Sequence, residues 1–195
     1  MQKESLIILI SGTPGTGKTV IANVLKDLVS AEYINLTEIV LKNKFIIETD
    51  KKRKTEVVDF KKLIPFLKKI IDSAPNKNII IDGHFADIVP DSITSIVIIL
   101  RTDPRVLEKR LIEKQFPPPK IQENLQSEIL GSCTQFAMKN HDRNKIYEID
   151  TSTLPIEAII KKIQTLIKDR PPSNVGEINW LQTLEEGNEL IKYFQ

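Results

Sequence analysis

The octapeptide GTPGTGKT, Gly12 to Thr19, directly follows the apolar run LIILI, Leu6 to Ile10. No other junction constrains the chain as strongly. The octapeptide fits the spacing G-x-x-x-x-G-K-[ST], in which glycines let backbone N–H groups turn inward and approach phosphate oxygens closely. A helix is expected to begin near Lys18, bringing the positive end of its dipole to the same point. Lys18 is placed to reach the β and γ phosphates, and the hydroxyl of Thr19 to ligate Mg2+. Gly12, Thr13, Pro14, Gly15, Thr16, Gly17, Lys18, Thr19 and Val20 are therefore the expected contacts of a nucleoside triphosphate.

A short apolar strand that delivers such a loop implies a parallel sheet wrapped by helices, and the rest of the chain keeps that rhythm. IIID (Ile79–Asp82) and SIVIIL (Ser95–Leu100) read as further buried strands, with weaker ones at Glu32–Leu36 and Lys145–Asp150. Helical spacing of apolar residues runs over Val20–Ser30, Glu56–Asp72, Asp103–Lys114, Ile121–Met138 and Pro155–Lys168. The expected fold is α/β: a five-stranded parallel sheet with helices on both faces. FPPPK (Phe116–Lys120) is expected to make a stiff, non-helical connection at a hinge or lid. RPPSNVGE (Arg170–Glu177) ends the core, giving a domain over residues 1–169 and an appendage over 170–195 docked on it. That appendage has Trp180, Leu181, Leu184, Leu190, Ile191, Tyr193 and Phe194 to bury.

Composition removes several alternatives. The 195 residues are 41% hydrophobic and 28% charged with a formal net charge of +2, an ordinary globular balance that gives no general affinity for nucleic acid. The basic run Lys51–Lys54 is either a solvated loop or a local contact for rRNA or an acidic partner. The single cysteine, Cys133, rules out an intramolecular disulfide. No apolar run is long enough for a signal peptide or a membrane span, so a soluble cytoplasmic protein is expected.

A triphosphate site of this kind needs a second carboxylate near the metal, and Asp82, closing the strand IIID, supplies it. Two residues later comes His84, one of only two histidines. A neutral imidazole there could accept a hydrogen bond from water or contact an acceptor, or it is a loop histidine satisfied by backbone. His141, in KNHDRN, is expected to be solvated at a helix C-terminus, where the dipole favours it.

Taken in order, SGTPGTGKT, YINL, IIIDGH, LRTDPRVLEKRL and ENLQSEI resemble the adenylate kinase isoenzyme 6 family over roughly residues 5–168. That family is also known in animals as the coilin-interacting nuclear ATPase, and it is a small-subunit ribosome assembly factor. The resemblance implies a P-loop nucleoside monophosphate kinase fold with an acceptor-binding segment near 37–76 and a short lid near 113–128. It further implies conversion of ATP and AMP to two ADP, ATP hydrolysis, and a part in small ribosomal subunit maturation. Implied partners are AMP or another nucleoside monophosphate, the platform ribosomal protein of the small subunit, and rRNA. Asp82 would be the Walker B carboxylate, ligating Mg2+ with Thr19, and His84 its partner in an Asp-x-His motif. Arg101, at a strand end, and Arg110, one helical stretch later, would stabilise charge on the transferred phosphoryl group. Arg110 has Glu108 and Glu113 as alternative partners.

The chain also departs from adenylate kinases. Arg53 is the only arginine in residues 37–76, and Lys114 stands where many relatives carry a lid arginine. Lysine offers a point charge but no bidentate fork. Asn124 and Gln126 are either polar contacts near the lid or surface amides. Two rival readings stay open: a kinase acting on a small metabolite, and an assembly factor that uses ATP as a switch.

Overall fold

The apolar run before the glycine loop forms β1 (Ile7–Ser11), the central strand of a five-stranded parallel sheet. The computed structural model describes residues 5–50, 55–74 and 77–194. Around β1 lie β2 (Ala31–Asn35), β5 (Asn78–Asp82), β6 (Ile96–Arg101) and β7 (Ile146–Asp150), in the order β2-β5-β1-β6-β7. Ile10 is in register with Asp82 on one side and Ile98 on the other. The expected parallel sheet of five strands is present.

Because side chains alternate along a strand, β1 feeds two cores. Ile8 and Ile10 pack with Ile21 and Leu25 of α1 (Lys18–Leu28) and with Ile159, Ile160 and Ile163 of α7 (Ile156–Asp169). Ile7 and Leu9 face the other way, toward Leu36 and Val40 of α2 (Leu36–Asn43) and Leu63, Leu67 and Ile71 of α3 (Phe60–Asp72). Both faces of the sheet are covered, which is why its strands read as unbroken apolar runs.

The segment between β2 and β5 differs from its expected form. Instead of one helix from Glu56, an antiparallel hairpin of β3 (Ile46–Asp50) and β4 (Thr55–Val58) comes first. Asp59 then caps α3 by accepting a hydrogen bond from the Lys62 amide. Residues 51–54, with the basic run and Arg53, lie outside the described residues.

The expected helix Ile121–Met138 is two helices, α5 (Pro118–Ile129) and α6 (Ser132–Asn140). Gly131, at φ 63°, turns the chain between them. The prolines do not make a wholly non-helical link either. Pro118 and Pro119 occupy the first turn of α5, where a missing N–H leaves no helical bond unmade. The connection from α4 (Pro104–Glu113) shrinks to Lys114–Pro117.

After α7 the chain runs back across the β7 edge to α8 (Trp180–Glu186) and a short 3-10 turn at Leu190–Tyr193. Leu184 and Tyr193 enter a third apolar cluster with Leu107 and Leu111 of α4 and Leu125 and Ile129 of α5. Leu181, Ile191 and Phe194 stay exposed, contrary to the expectation that the whole apolar set is buried. No helix among the described residues is long and apolar enough to cross a membrane.

Candidate active site

The loop between β1 and α1 takes a path that only glycine allows at its entry. Gly12 sits at φ 143°, and a Cβ there would lie 2.4 Å from the Leu100 carbonyl oxygen. Within the loop, the Thr13 carbonyl is an anchor. It accepts from the Thr16 amide at 3.3 Å, the Thr16 hydroxyl at 2.9 Å and the Lys18 ammonium at 3.1 Å. Burial lowers the pKa of Lys18, while the nearby Asp82 carboxylate opposes that shift and favours the charged form.

Asp82 ends β5 beside the loop and is 1% exposed. Its Oδ2 accepts from the Thr19 hydroxyl at 2.8 Å, the Tyr33 hydroxyl at 2.9 Å and the Asn35 amide at 3.3 Å. Burial pushes the Tyr33 phenol up to about 12, so it remains a donor at neutral pH. All three donors are neutral. The carboxylate and the Thr19 hydroxyl thus form a pair of hard oxygen ligands with negative charge to spare, which fits Mg2+.

The loop separates two cavities. One of about 250 Å3 is lined by Gly15, Thr16, Gly17, Val20 and Ile21, by Arg110 and Lys114, and by Thr151 and Leu154 of the turn after β7. The other, about 800 Å3, opens past Thr13 and Pro14 and is walled by α2, β4, α5 and α6. His84 stands in its wall as an exposed residue. Enclosure by the cleft, together with the Lys18 and Lys120 ammoniums, holds its imidazole well below the usual histidine value. The ring meets Phe85 edge-on at 4.5 Å, and the Cys133 thiol donates to the His84 carbonyl. Asn124 lines the same cleft, 5% exposed, and its Nδ2 has no hydrogen-bond partner among the described residues. Gln126 faces elsewhere, donating to the Tyr193 carbonyl at 2.9 Å.

Two expected catalytic arginines are engaged differently. Arg101 is 3% exposed and clamped between two buried carboxylates: Nε donates to Glu128 Oε1 at 2.8 Å and Nη1 to Glu148 Oε1 at 2.6 Å. Its remaining bonds reach the Glu128 carbonyl, Thr134 and the Ile178 carbonyl. A guanidinium buried between two carboxylates and lining neither cavity is not aimed at a phosphoryl group, so the charge-stabilising role is corrected to a structural one. Arg110 pairs with neither Glu108 nor Glu113; its Nη2 donates to the Thr151 carbonyl at 2.7 Å. There it fixes the wall of the smaller cavity.

His141 is likewise corrected. Its side chain is wholly buried, with Nδ1 3.4 Å from Asp91 Oδ1. An extended backbone at the end of α6 takes it off the helix axis, so the dipole argument fails. The residue that sequence reasoning missed is Glu128, 2% exposed, which accepts from the Thr13 hydroxyl at 2.6 Å. The available signal was its position: Asn124 and Glu128 interrupt the apolar face Ile121, Leu125, Ile129 of α5.

Comparison with known proteins is consistent with this geometry. Residues 8–131 match the model of a family described as AAA domain. A protein from Methanocaldococcus jannaschii named "Putative adenylate kinase" is 37% identical over 176 residues, 90% of this chain and 93% of that one. A protein of the same name from Pyrococcus abyssi is 31% identical over 181 residues, covering 93% and 94%. Among solved structures, shikimate kinase from Acinetobacter baumannii superposes with TM-score 0.58 at 19% identity, over 86% of this chain and 95% of that one. Thymidylate kinase from Candida albicans gives 0.58 at 15% identity, over 85% and 92%. At these identities the structural likeness speaks for the fold, a P-loop kinase architecture.

Proposed function

The chain belongs to the AAA domain family, and on that footing we propose that it is an ATP-dependent nucleotide kinase converting ATP and AMP to two ADP. The observation that carries the reading is the pair of cavities that share the phosphate loop as a common wall. A kinase needs a donor and an acceptor facing each other across the transferred phosphoryl group; a protein that only hydrolyses ATP needs one site. The name borne by the similar archaeal proteins supports the same substrate pair.

In this reading ATP lies with its base in the smaller cavity, beside the Arg110 guanidinium that Thr151 holds in place. The loop amides receive the phosphates, and Lys18 leaves the Thr13 carbonyl to bridge the β and γ groups. Mg2+, held by Thr19 and Asp82, would neutralise charge on those oxygens. Phosphoryl transfer asks mainly for positioning and positive charge, so with Arg101 committed elsewhere the burden falls on Lys18, the loop amides, Lys114 and Lys120. The acceptor occupies the larger cleft, where His84 presents a neutral imidazole and Asn124 an unused amide.

Resemblance to the adenylate kinase isoenzyme 6 family supports a further proposal, that the enzyme also hydrolyses ATP in small ribosomal subunit maturation, with the platform ribosomal protein as partner. The acceptor reading is tested by ADP formation from Mg-ATP with AMP, and with shikimate as the small-metabolite control. AMP-dependent ADP above the Lys18→Ala background supports it; ADP formation indifferent to AMP would leave ATP hydrolysis as the activity.

A further inference from the structure

Glu128 lines neither cavity, yet its carboxylate touches the phosphate loop with one oxygen and the C-terminal segment with the other. Oε2 accepts from the Thr13 hydroxyl at 2.6 Å. Oε1 accepts from Arg101 Nε at 2.8 Å, the Thr102 amide at 3.0 Å and the Trp180 indole N–H at 3.2 Å. Thr13, Arg101 and Thr102 are all buried, so these are charge-assisted bonds in a site with little water to replace them. Arg101 is itself tied to Glu148, whose other oxygen accepts from the Gly176 amide at 2.7 Å. The carboxylate is therefore held from behind by a rigid frame that includes the start of the C-terminal segment.

We propose that Glu128 is a positioning residue for the phosphate loop, fixing Thr13 through its hydroxyl and coupling the loop's occupancy to Trp180. The proposal rests on the reading that the loop receives nucleotide phosphates. Thr13 is the residue whose carbonyl collects Lys18 and Thr16. When Lys18 departs for a phosphate, that carbonyl loses its charged donor and keeps the two bonds from Thr16, and the hydroxyl bond to Glu128 then supplies the charge-assisted hold on the residue. Any residual shift of Thr13 passes to a carboxylate whose opposite oxygen bonds the indole. Trp180 is the chain's single tryptophan, so its emission reports this bond without interference.

The test combines tryptophan emission with calorimetry of ATP binding in wild type, Thr13→Val and Thr13→Ser. Valine matches threonine in shape and lacks the hydroxyl; serine restores it. Wild-type emission is expected to change along the calorimetric binding curve. Thr13→Val is expected to bind ATP, lose that emission response, and lower kcat about tenfold with KM for ATP changed less than about threefold. Thr13→Ser is expected to recover the response and most of kcat, a rescue that a packing defect would not give. Emission that stays constant while calorimetry shows ATP binding overturns the coupling and leaves the nucleotide reading intact. A Thr13→Val protein that responds and turns over like wild type overturns the positioning role. Absence of any binding heat in wild type overturns both.

Discussion

On one side of the loop, the cavity of about 250 Å3 takes its walls from α1, α4 and the turn into α7; on the other, the cleft of about 800 Å3 draws on α2, β4, α5 and α6. In the first set α1 and α7 pack on the central strands and α4 belongs to the third apolar cluster, and its arginine is already held, Arg110 on the Thr151 carbonyl. The second set comes from the long segment between β2 and β5 and from the helices around the Lys114–Pro117 turn. There the buried Asn124 Nδ2 is without a partner among the described residues, and His84 is neutral and exposed. A buried donor without an acceptor costs stability, and a ligand that supplies the acceptor recovers it. The donor side is thus built to hold a fixed shape, and the acceptor side keeps hydrogen-bonding capacity for its ligand.

Substitutions separate the two sides. Lys18 serves both, and Lys18→Ala is expected to lower kcat by about 10³-fold, measured as ADP formation, since it removes the main positive charge on the transferred group. Arg101 serves neither directly. Arg101→Leu leaves Glu128 and Glu148 as uncompensated buried charges and is expected to cost about 3–5 kcal/mol in urea denaturation. A variant as stable as wild type would contradict the structural role of Arg101. Asn124→Ala should act on the acceptor side alone, raising KM for AMP about tenfold, the worth of one hydrogen bond of about 1–1.5 kcal/mol, with KM for ATP within about twofold. Arg110→Ala is the complement, expected to raise KM for ATP by about fivefold and leave KM for AMP unchanged. If either variant shifts both constants equally, the two sides are not independent.

The pH dependence is the smallest effect. The folded imidazole of His84 takes up its proton below the ordinary 6.5, so it is neutral above that value and adds no inflection to turnover between about pH 6.5 and 8. Below pH 6.5 the unfolded chain binds this proton more readily than the folded one, and stability falls as the pH drops toward the lowered folded value. Urea midpoints at pH 7 and pH 5 should therefore differ less in His84→Ala than in wild type.

The sheet and the phosphate loop were legible because their signals are local: unbroken Ile and Leu runs for strands covered on both faces, and a fixed spacing around Lys18. Asp82 was legible by its place at the end of such a run. The roles of Arg101, Arg110 and His141 were not, since each depends on partners far away in sequence. Arg101 meets Glu128 and Glu148, Arg110 meets Thr151, and His141 lies against Asp91. Charge type and helical position alone cannot tell an arginine aimed at a phosphate from one enclosed by carboxylates. The hairpin of β3 and β4 was hidden for a related reason. The apolar residues of Glu56–Asp72 keep helical spacing through Val57, and only pairing with β3 makes the first of them a strand.

Two cavities joined by one phosphate loop should bind a single molecule that spans both. Two adenosines linked through five phosphates provide that probe, titrated calorimetrically against ATP alone. One molecule per chain, bound about 100-fold more tightly than ATP and competing with both ATP and AMP, is the expected result. An affinity no better than that of ATP, with AMP unable to compete, would contradict an acceptor site in the larger cleft.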